Sequence, residues 1–413
     1  MAFQQNKVRG FPIALMATPG GMELAQKVDQ HLHELMKENG LPAPRTFLRD
    51  STNFRFQNGE GKGVINETIR GVDLYLFADV NNYGVSYTRY GKSYPMSPDE
   101  HYCDLKRLLG ATRNTVQRVN VVMPLLYEGR QHKIRGRESL DCALMLQELT
   151  RMGVHTIVCI DAHNSHVHNA IPLHGFENLH ATYQLIKVFL DTVKGQLDIG
   201  PETLMICSPD LGGMERARYF AEHFRVHLSG FYKVRDLTRV VDGKNPILEH
   251  VYLGQDVMGK DVLVVDDMLA SGGSMLEVCR ELRRRGANRI YLSVTYALFS
   301  SGLAEFDKAY EEGMFQYVFA TNATYLPDEL KSRKWFKIAD VTRFLAKFIF
   351  TYNQDGSVTR LLDSTHKINK LLGRSNRDPY DSNPGSRQHR RPPTISLKVK
   401  DPNHSDHGTT YYG

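Results

Sequence analysis

Eight uninterrupted apolar runs constrain the fold of this chain more than any other feature. They are FPIALMA (11–17), VDLYLFA (72–78), VNVVMP (119–124), TIVCID (156–161), TLMICSP (203–209), DVLVVDD (261–267), IYLSVTYA (290–297) and YVFATN (317–322). Continuous apolar runs are what strands buried on both faces require, because successive side chains point to opposite sides of a sheet. Between them lie helical patterns such as GGMELAQKVDQHLHEL, ESLDCALMLQELTRMG and SMLEVCRELRRRGA. Two local start signals support these helices, a capping box at Ser97-Pro98-Asp99-Glu100 and a second at Ser274-Met275-Leu276-Glu277. Strand alternating with helix predicts an α/β fold of mostly parallel sheets with helices on both faces. Two rounds of the pattern place one domain at 1–172 and another at 173–351. An extension at 352–413 is expected to be largely disordered from about residue 374, where Ser, Asn, Pro and Gly predominate.

Composition narrows the classes of function. With 413 residues, 41% hydrophobic and 24% charged, the chain can bury cores for two domains. Its five cysteines include no C-x-x-C pair and read as buried apolar thiols. No run reaches the length of a signal peptide core or a membrane span, so the expected location is the cytoplasm, without membrane attachment. The net charge of +6 is uneven: seven Lys/Arg against four Asp/Glu lie in residues 374–413, which is half of the surplus. A solvated basic tail explains this, and nucleic acid is not expected as a partner.

The chemistry concentrates in VLVVDDMLASGGSMLEV (262–278), where a strand pattern runs into two carboxylates, a small-residue loop and a helix pattern. Such a crossover loop lies at the carboxyl end of the sheet, where open α/β folds bind ligands. Gly272 and Gly273 let backbone N–H groups converge, and the hydroxyls of Ser271 and Ser274 add donors at the helix N-terminus, which makes a phosphate cradle. Asp266 and Asp267 repel a phosphate but accept hydrogen bonds from a vicinal diol a few ångströms away. A ribose 5-phosphate carries both groups.

The segment VVDDMLASGGSM resembles the ribose-phosphate-binding signature shared by type I phosphoribosyltransferases and ribose-phosphate pyrophosphokinases, the PRPP synthases. Phosphoribosyltransferases carry one such domain, whereas the synthases carry two in tandem, the arrangement expected here. The resemblance covers roughly residues 10–350 and continues in an ordered set of segments. FRFQNGEGKG is similar to the synthases' adenine loop and implies base contacts by Phe56, Asn58 and Glu60. YEGRQHK implies ATP contacts by Arg130 and Gln131. CIDAHNSH and SPDLGGMERAR imply that His163 and Asp210 serve Mg2+. FYKVRDLTRVV matches the flexible catalytic loop and implies that Lys233 and Arg235 close over the polyphosphate.

The function so implied is synthesis of PRPP from ATP and ribose 5-phosphate by a homo-oligomer, a dimer or hexamer in which the adenine loop reaches a neighbouring subunit. Two alternatives are a phosphoribosyltransferase that consumes PRPP and a non-catalytic regulatory homologue. The three histidines of HNSHVH also admit a zinc cluster, which would need a further ligand. The chain departs from the family at Ala270 and Ser271, where the common loop has aspartate and threonine. After Arg130-Gln131 it is one residue shorter and lacks a proline, in a region tied to phosphate and ADP control. The stretch YGVSYTRYGKSYPMSPDE has no counterpart.

Overall fold

All eight apolar runs lie in strands. The computed structural model describes residues 10–374 apart from 114, 135, 236, 237 and 239–246, with the backbone alone for 233–235, 247–250 and 360. The first half contains β1 (Ile13–Ala17), the hairpin β2 (Ser51–Arg55) and β3 (Gly61–Ile65), β4 (Asp73–Phe77), the hairpin β5 (Ser86–Arg89) and β6 (Lys92–Pro95), β7 (Arg118–Val122), β8 (Thr156–Ile160) and β9 (Gly175–Leu179). The second contains β10 (Leu204–Ser208), β11 (His227–Arg235), β12 (Ile247–Leu253), β13 (Asp261–Leu269), β14 (Ile290–Ala297), β15 (Tyr317–Thr321) and β16 (Phe336–Ala339). The main sheets have the orders β1-β4-β7-β8-β9 and β12-β11-β10-β13-β14-β15-β16, and every pairing in them is parallel except that of β12 with β11.

The helices are α1 (Met22–Glu38), α2 (Pro98–Thr112), α3 (Asp141–Arg151), α4 (Thr182–Val193), α5 (Met214–Phe224), α6 (Gly273–Arg284), α7 (Ala304–Glu311), α8 (Asp328–Lys331), α9 (Thr342–Asn353), α10 (Thr359–Leu362) and α11 (Thr365–Leu371). Strand β1 shows why the runs are continuous. Ile13, Leu15 and Ala17 face a core that α1, α4, α5 and α9 share with both sheets, whereas Ala14 and Met16 face a second core under α2 and α3. A third core lies beneath α6 and α7. In α1 the buried residues Leu24, Val28, Leu32 and Leu35 recur at helical spacing along one face.

Two expectations require correction. Strand β9 lies beyond the boundary placed at 172 and pairs with β8, so the chain leaves the first sheet only after Leu179. Its sequence, GFENL, is too short and too polar to register as an apolar run. Helix α9, from the second half, packs on α1 of the first; Asn353 at its end donates to the Phe11 carbonyl and to buried Asp73, each at 2.9 Å. The Ser97 capping box is present, but α6 is not capped by Ser274: it begins at Gly273, with Gly272 in the left-handed conformation at its N-cap. Beyond residue 352, α10 and α11 are ordered elements and Ile368 is fully buried. Arg374 donates to the carbonyls of His223 and Phe224, so the expected disorder from about that residue concerns positions outside the described ones.

The halves are joined along the carboxyl ends of their strands. The Tyr296 hydroxyl lies against the carbonyls of Pro124 and Ile160 and can donate to either. Asp79, just past β4, accepts from the Thr324 hydroxyl at 2.8 Å and the Tyr325 N–H at 2.7 Å. Among the described residues no helix is long and apolar enough to cross a membrane. The five cysteines are unpaired, and all but Cys103 are buried.

Candidate active site

The second sheet reverses its winding between β10 and β13: from β10 the chain proceeds outward to β11 and β12, and from β13 it proceeds the other way. Loops leaving such a switch point diverge and open a crevice at the carboxyl ends of the strands. Here it is a cleft of about 640 Å³. Its floor carries Asp266, Asp267 and residues 268–272 and 274–275 from the β13–α6 segment, and Asp210, Gly212 and Gly213 from the turn after β10. The side of the first half supplies Arg130 and His163.

Each wall has a local cause. The Asp210 side chain accepts from the N–H groups of Gly212, at 2.9 Å, and Gly213, at 3.2 Å, and so shapes the turn that starts α5. A Cβ at Gly213 would lie 2.7 Å from the Ser208 hydroxyl, so glycine lets that turn pack against the end of β10, within reach of the Asp266 carboxylate. Gly272 has φ +89°, and a Cβ there would lie 2.2 Å from the Phe306 ring. The first N–H groups of α6 lack intrahelical acceptors and border the cleft beside the exposed Ser271 and Ser274.

The two carboxylates are not equivalent. Asp266 accepts from the Asp267 N–H at 2.8 Å, and burial together with the charges of Asp267 and Asp210 pushes its pKa well above the usual range. Burial acts in the same direction on Asp267, but a 2.5 Å contact with His163 and the field of Arg216 outweigh it and lower its pKa. The Asp267 side chain is 5% exposed and that of His163 38%, so the histidine reaches into the cleft from a buried anchor.

A second cleft, of about 560 Å³, adjoins the first and shares Arg130, His163 and Met268 with it. It is bordered by Gln131, Glu128 and Asp161 on one side and by Tyr296 and Leu298 on the other. Arg130, Gln131, His163, Asp210, Asp266, Asp267, Ser271, Gly272 and Ser274 therefore line one continuous depression, and Gly273 starts the helix at its edge. Phe56, Asn58 and Glu60 do not join them. They occupy the β2–β3 turn, where the Asn58 amide donates to Glu60 at 3.0 Å and the Phe56 ring is 46% exposed, and they border neither cleft.

Lys233 and Arg235 were expected in a loop but belong to β11, where their backbones pair with β12 and the register shifts between Val234 and Arg235. Their side chains, and most of residues 236–246, lie outside the described residues. Tyr232, immediately before them, borders the first cleft.

Two residues were missed. Arg216, on α5, borders the first cleft and lowers the pKa of both Asp267 and Asp161. It lies in the SPDLGGMERAR segment, but only the helix shows that it faces the carboxylates. Asp161 has φ +46° and is buried; it accepts from Thr295 at 2.6 Å and pairs with His180 at 2.8 Å. Its position two residues before His163 was the available signal. Among the described residues no three His, Cys, Asp or Glu side chains converge to hold a metal by themselves. HNSHVH disperses accordingly, with His163 on Asp267 and His168 on the Ser165 carbonyl.

Comparison with known proteins agrees with this architecture. Residues 13–153 match the model of the N-terminal domain of ribose phosphate pyrophosphokinase, and residues 176–320 match that of the phosphoribosyl transferase domain. The ribose-phosphate pyrophosphokinase of Synechococcus elongatus is 27% identical over 310 residues, covering 74% of this chain and 84% of the relative. That of Gloeobacter violaceus is also 27% identical, over 355 residues, covering 84% and 92%. The crystal structure of phosphoribosylpyrophosphate synthetase from Mycobacterium smegmatis superposes with a TM-score of 0.66 at 21% identity, over 83% of this chain and 99% of that one, and so shares the fold. With both domain models matched in order and these relatives aligned along most of their length, the chain belongs to the ribose-phosphate pyrophosphokinase family.

Proposed function

We propose that the protein makes PRPP by transferring the diphosphoryl group of ATP to the anomeric hydroxyl of ribose 5-phosphate. A bond forms between the anomeric oxygen and the β-phosphorus, the bridge between the α- and β-phosphates breaks, and AMP leaves. The observation that carries this reading is the His163–Asp267 contact: it ties the residue assigned to the nucleotide side to the carboxylate assigned to the sugar, within one depression.

The 5-phosphate is assigned to residues 271–274 and the start of α6, where N–H groups and the helix dipole favour an anion. Asp266 and Asp267 accept from the ribose diol. Arg130 and Arg216 supply positive charge on opposite walls. Lys233 and Arg235 are assigned to the transferring group, where charge builds on phosphate oxygens.

The assigned metal is Mg2+, which when bound neutralises polyphosphate charge. This ion keeps several waters and needs only one or two protein groups beside substrate phosphates. A cleft offering Asp210 and His163 without an all-protein cage among the described residues fits that demand. A homo-oligomer completes the assignment. The 56–60 turn, with one exposed aromatic ring, an amide and a carboxylate, is suited to a purine but is separate from its own chain's cleft.

Incubation with ATP, ribose 5-phosphate and Mg2+ should yield AMP and PRPP in equal amounts. No product, or instead AMP and pyrophosphate formed from adenine and PRPP, would overturn the proposal.

A further inference from the structure

The stretch from Gly84 to Glu100, which none of the site motifs covers, contains the β5–β6 hairpin. Register pairs Arg89 with Lys92 and Tyr87 with Tyr94, leaving Tyr90 and Gly91 as a two-residue loop with φ +48° and +75°. Positive φ at both central positions is the tight hairpin turn whose twist matches that of its strands, so the tip is conformationally fixed.

That tip rests on the other hairpin. The Tyr90 N–H donates to the Gln57 carbonyl at 3.3 Å. A Cβ at Gly59 would lie 2.9 Å from the Arg89 side chain, so the arginine stem lies directly on the glycine. The Arg89 guanidinium stacks 4.7 Å from the centre of the Tyr94 ring, which holds the stem in place. The base of the hairpin is anchored separately: the Tyr87 hydroxyl donates to Glu100, and Arg55 of β2 lies over the Tyr87 ring while pairing with buried Asp104.

We infer that the β5–β6 hairpin is a brace that presets the 56–60 turn, and that Arg89 is a positioning residue for the purine nucleotide. The inference rests on the assignment of that turn to ATP. The turn closes itself through the Phe56 N–H to the Glu60 carbonyl at 2.8 Å, the Gly59 N–H to the Phe56 carbonyl at 2.9 Å and the Asn58–Glu60 bonds, but those bonds are internal to the turn, and the hairpin is what holds it from outside at Gln57 and Gly59. Contacts from a rigid neighbour at Gln57 and Gly59 fix the placement of the turn before the nucleotide arrives, which reduces the ordering cost of binding.

The test shortens the hairpin and leaves its anchor intact. Replacing residues 88–93 by Asn-Gly preserves the Tyr87–Tyr94 pair, its turn type and the approach of the Tyr87 ring to Gly59, but removes the Arg89 and Tyr90 contacts with the 56–60 turn. KM for ATP should rise about tenfold, because uniform binding is lost, while kcat at saturating ATP and KM for ribose 5-phosphate stay within about twofold. Hydrogen exchange of the amides at 56–60 should quicken. If shortening prevents folding, R89A decides with the same readouts, and R89K, which keeps the stem and the ring contact, should restore KM. An unchanged KM for ATP in a variant that still makes PRPP, or equal losses in all three kinetic constants, would overturn the brace. Failure of the unaltered protein to make PRPP would instead overturn the functional assignment, and the exchange measurement would still report on the bracing.

Discussion

The two halves equip their strand ends differently. In the second half, both carboxylates at the end of β13 and the loops from β10 to α5 and from β13 to α6 meet at one switch point, so a single sheet gathers the residues assigned to the sugar phosphate. In the first half, Arg130, Gln131 and His163 border the shared depression, while Phe56, Asn58 and Glu60 stand apart on a hairpin turn. A site read from one crossover loop is complete within the chain, whereas one spread over a hairpin and two distant loops needs either a large motion or a second copy.

The largest effect should come from neither half's floor. Lys233→Ala and Arg235→Ala should each lower kcat by about a few hundredfold, or ~3 to 4 kcal/mol, with KM values nearly constant. The double variant should lose less than the product of the two. Near-normal turnover beside a lowered melting temperature would make this pair structural.

The seam between the halves is next. Burial pushes the pKa of Asp79 up to about 6. A carboxyl whose folded-state pKa lies above its unfolded value contributes stability that is fully present below about pH 4 and lost as pH rises through about 6, on the order of 3 kcal/mol. Asp79→Asn removes that slope. Unfolding free energies of wild type and variant should therefore shift by this amount between pH 4 and 7, in favour of the variant as pH rises. Parallel pH profiles would show that the Thr324 and Tyr325 contacts do not couple to this proton.

Asp266→Asn sharpens the contrast directly. Burial and the neighbouring carboxylates hold Asp266 toward its neutral form, so the loss is that of a neutral hydrogen bond, about 0.5 to 1.5 kcal/mol, and kcat/KM for ribose 5-phosphate should fall roughly two- to tenfold with KM for ATP little changed. Asp267→Asn should cost at least as much and also disturb ATP use, because its partner is His163 of the first half. Unchanged ribose 5-phosphate kinetics in both folded variants would remove the diol assignment. The smallest effect is expected from truncation after Arg374: turnover and melting temperature should hold, and loss of assembly would assign residues 375–413 a structural role.

Much of this was legible from residue order. The apolar runs announced eight strands because burial on both faces leaves no room for polar alternation. The polar strand β9 escaped notice, as did β12, whose antiparallel pairing follows no apolar run. Ala270 and Ser271 border the cleft, so the small-residue loop holds the place its position in the sequence predicts.

By itself the sequence determined what is local: strand and helix periods, the glycine loop at the end of β13, and the chemical types gathered in each motif. Those depend on neighbours a few residues apart, whose geometry the backbone imposes. Tertiary structure alone decided that Asp267 meets His163 across 104 residues, that Arg216 turns toward the same carboxylates, and that α9 returns to the first half. It also set the 56–60 turn apart from its own chain's cleft and laid an unassigned hairpin against it. Such contacts follow from how two sheets pack around a shared core, and packing is a property of the whole chain that no short stretch carries.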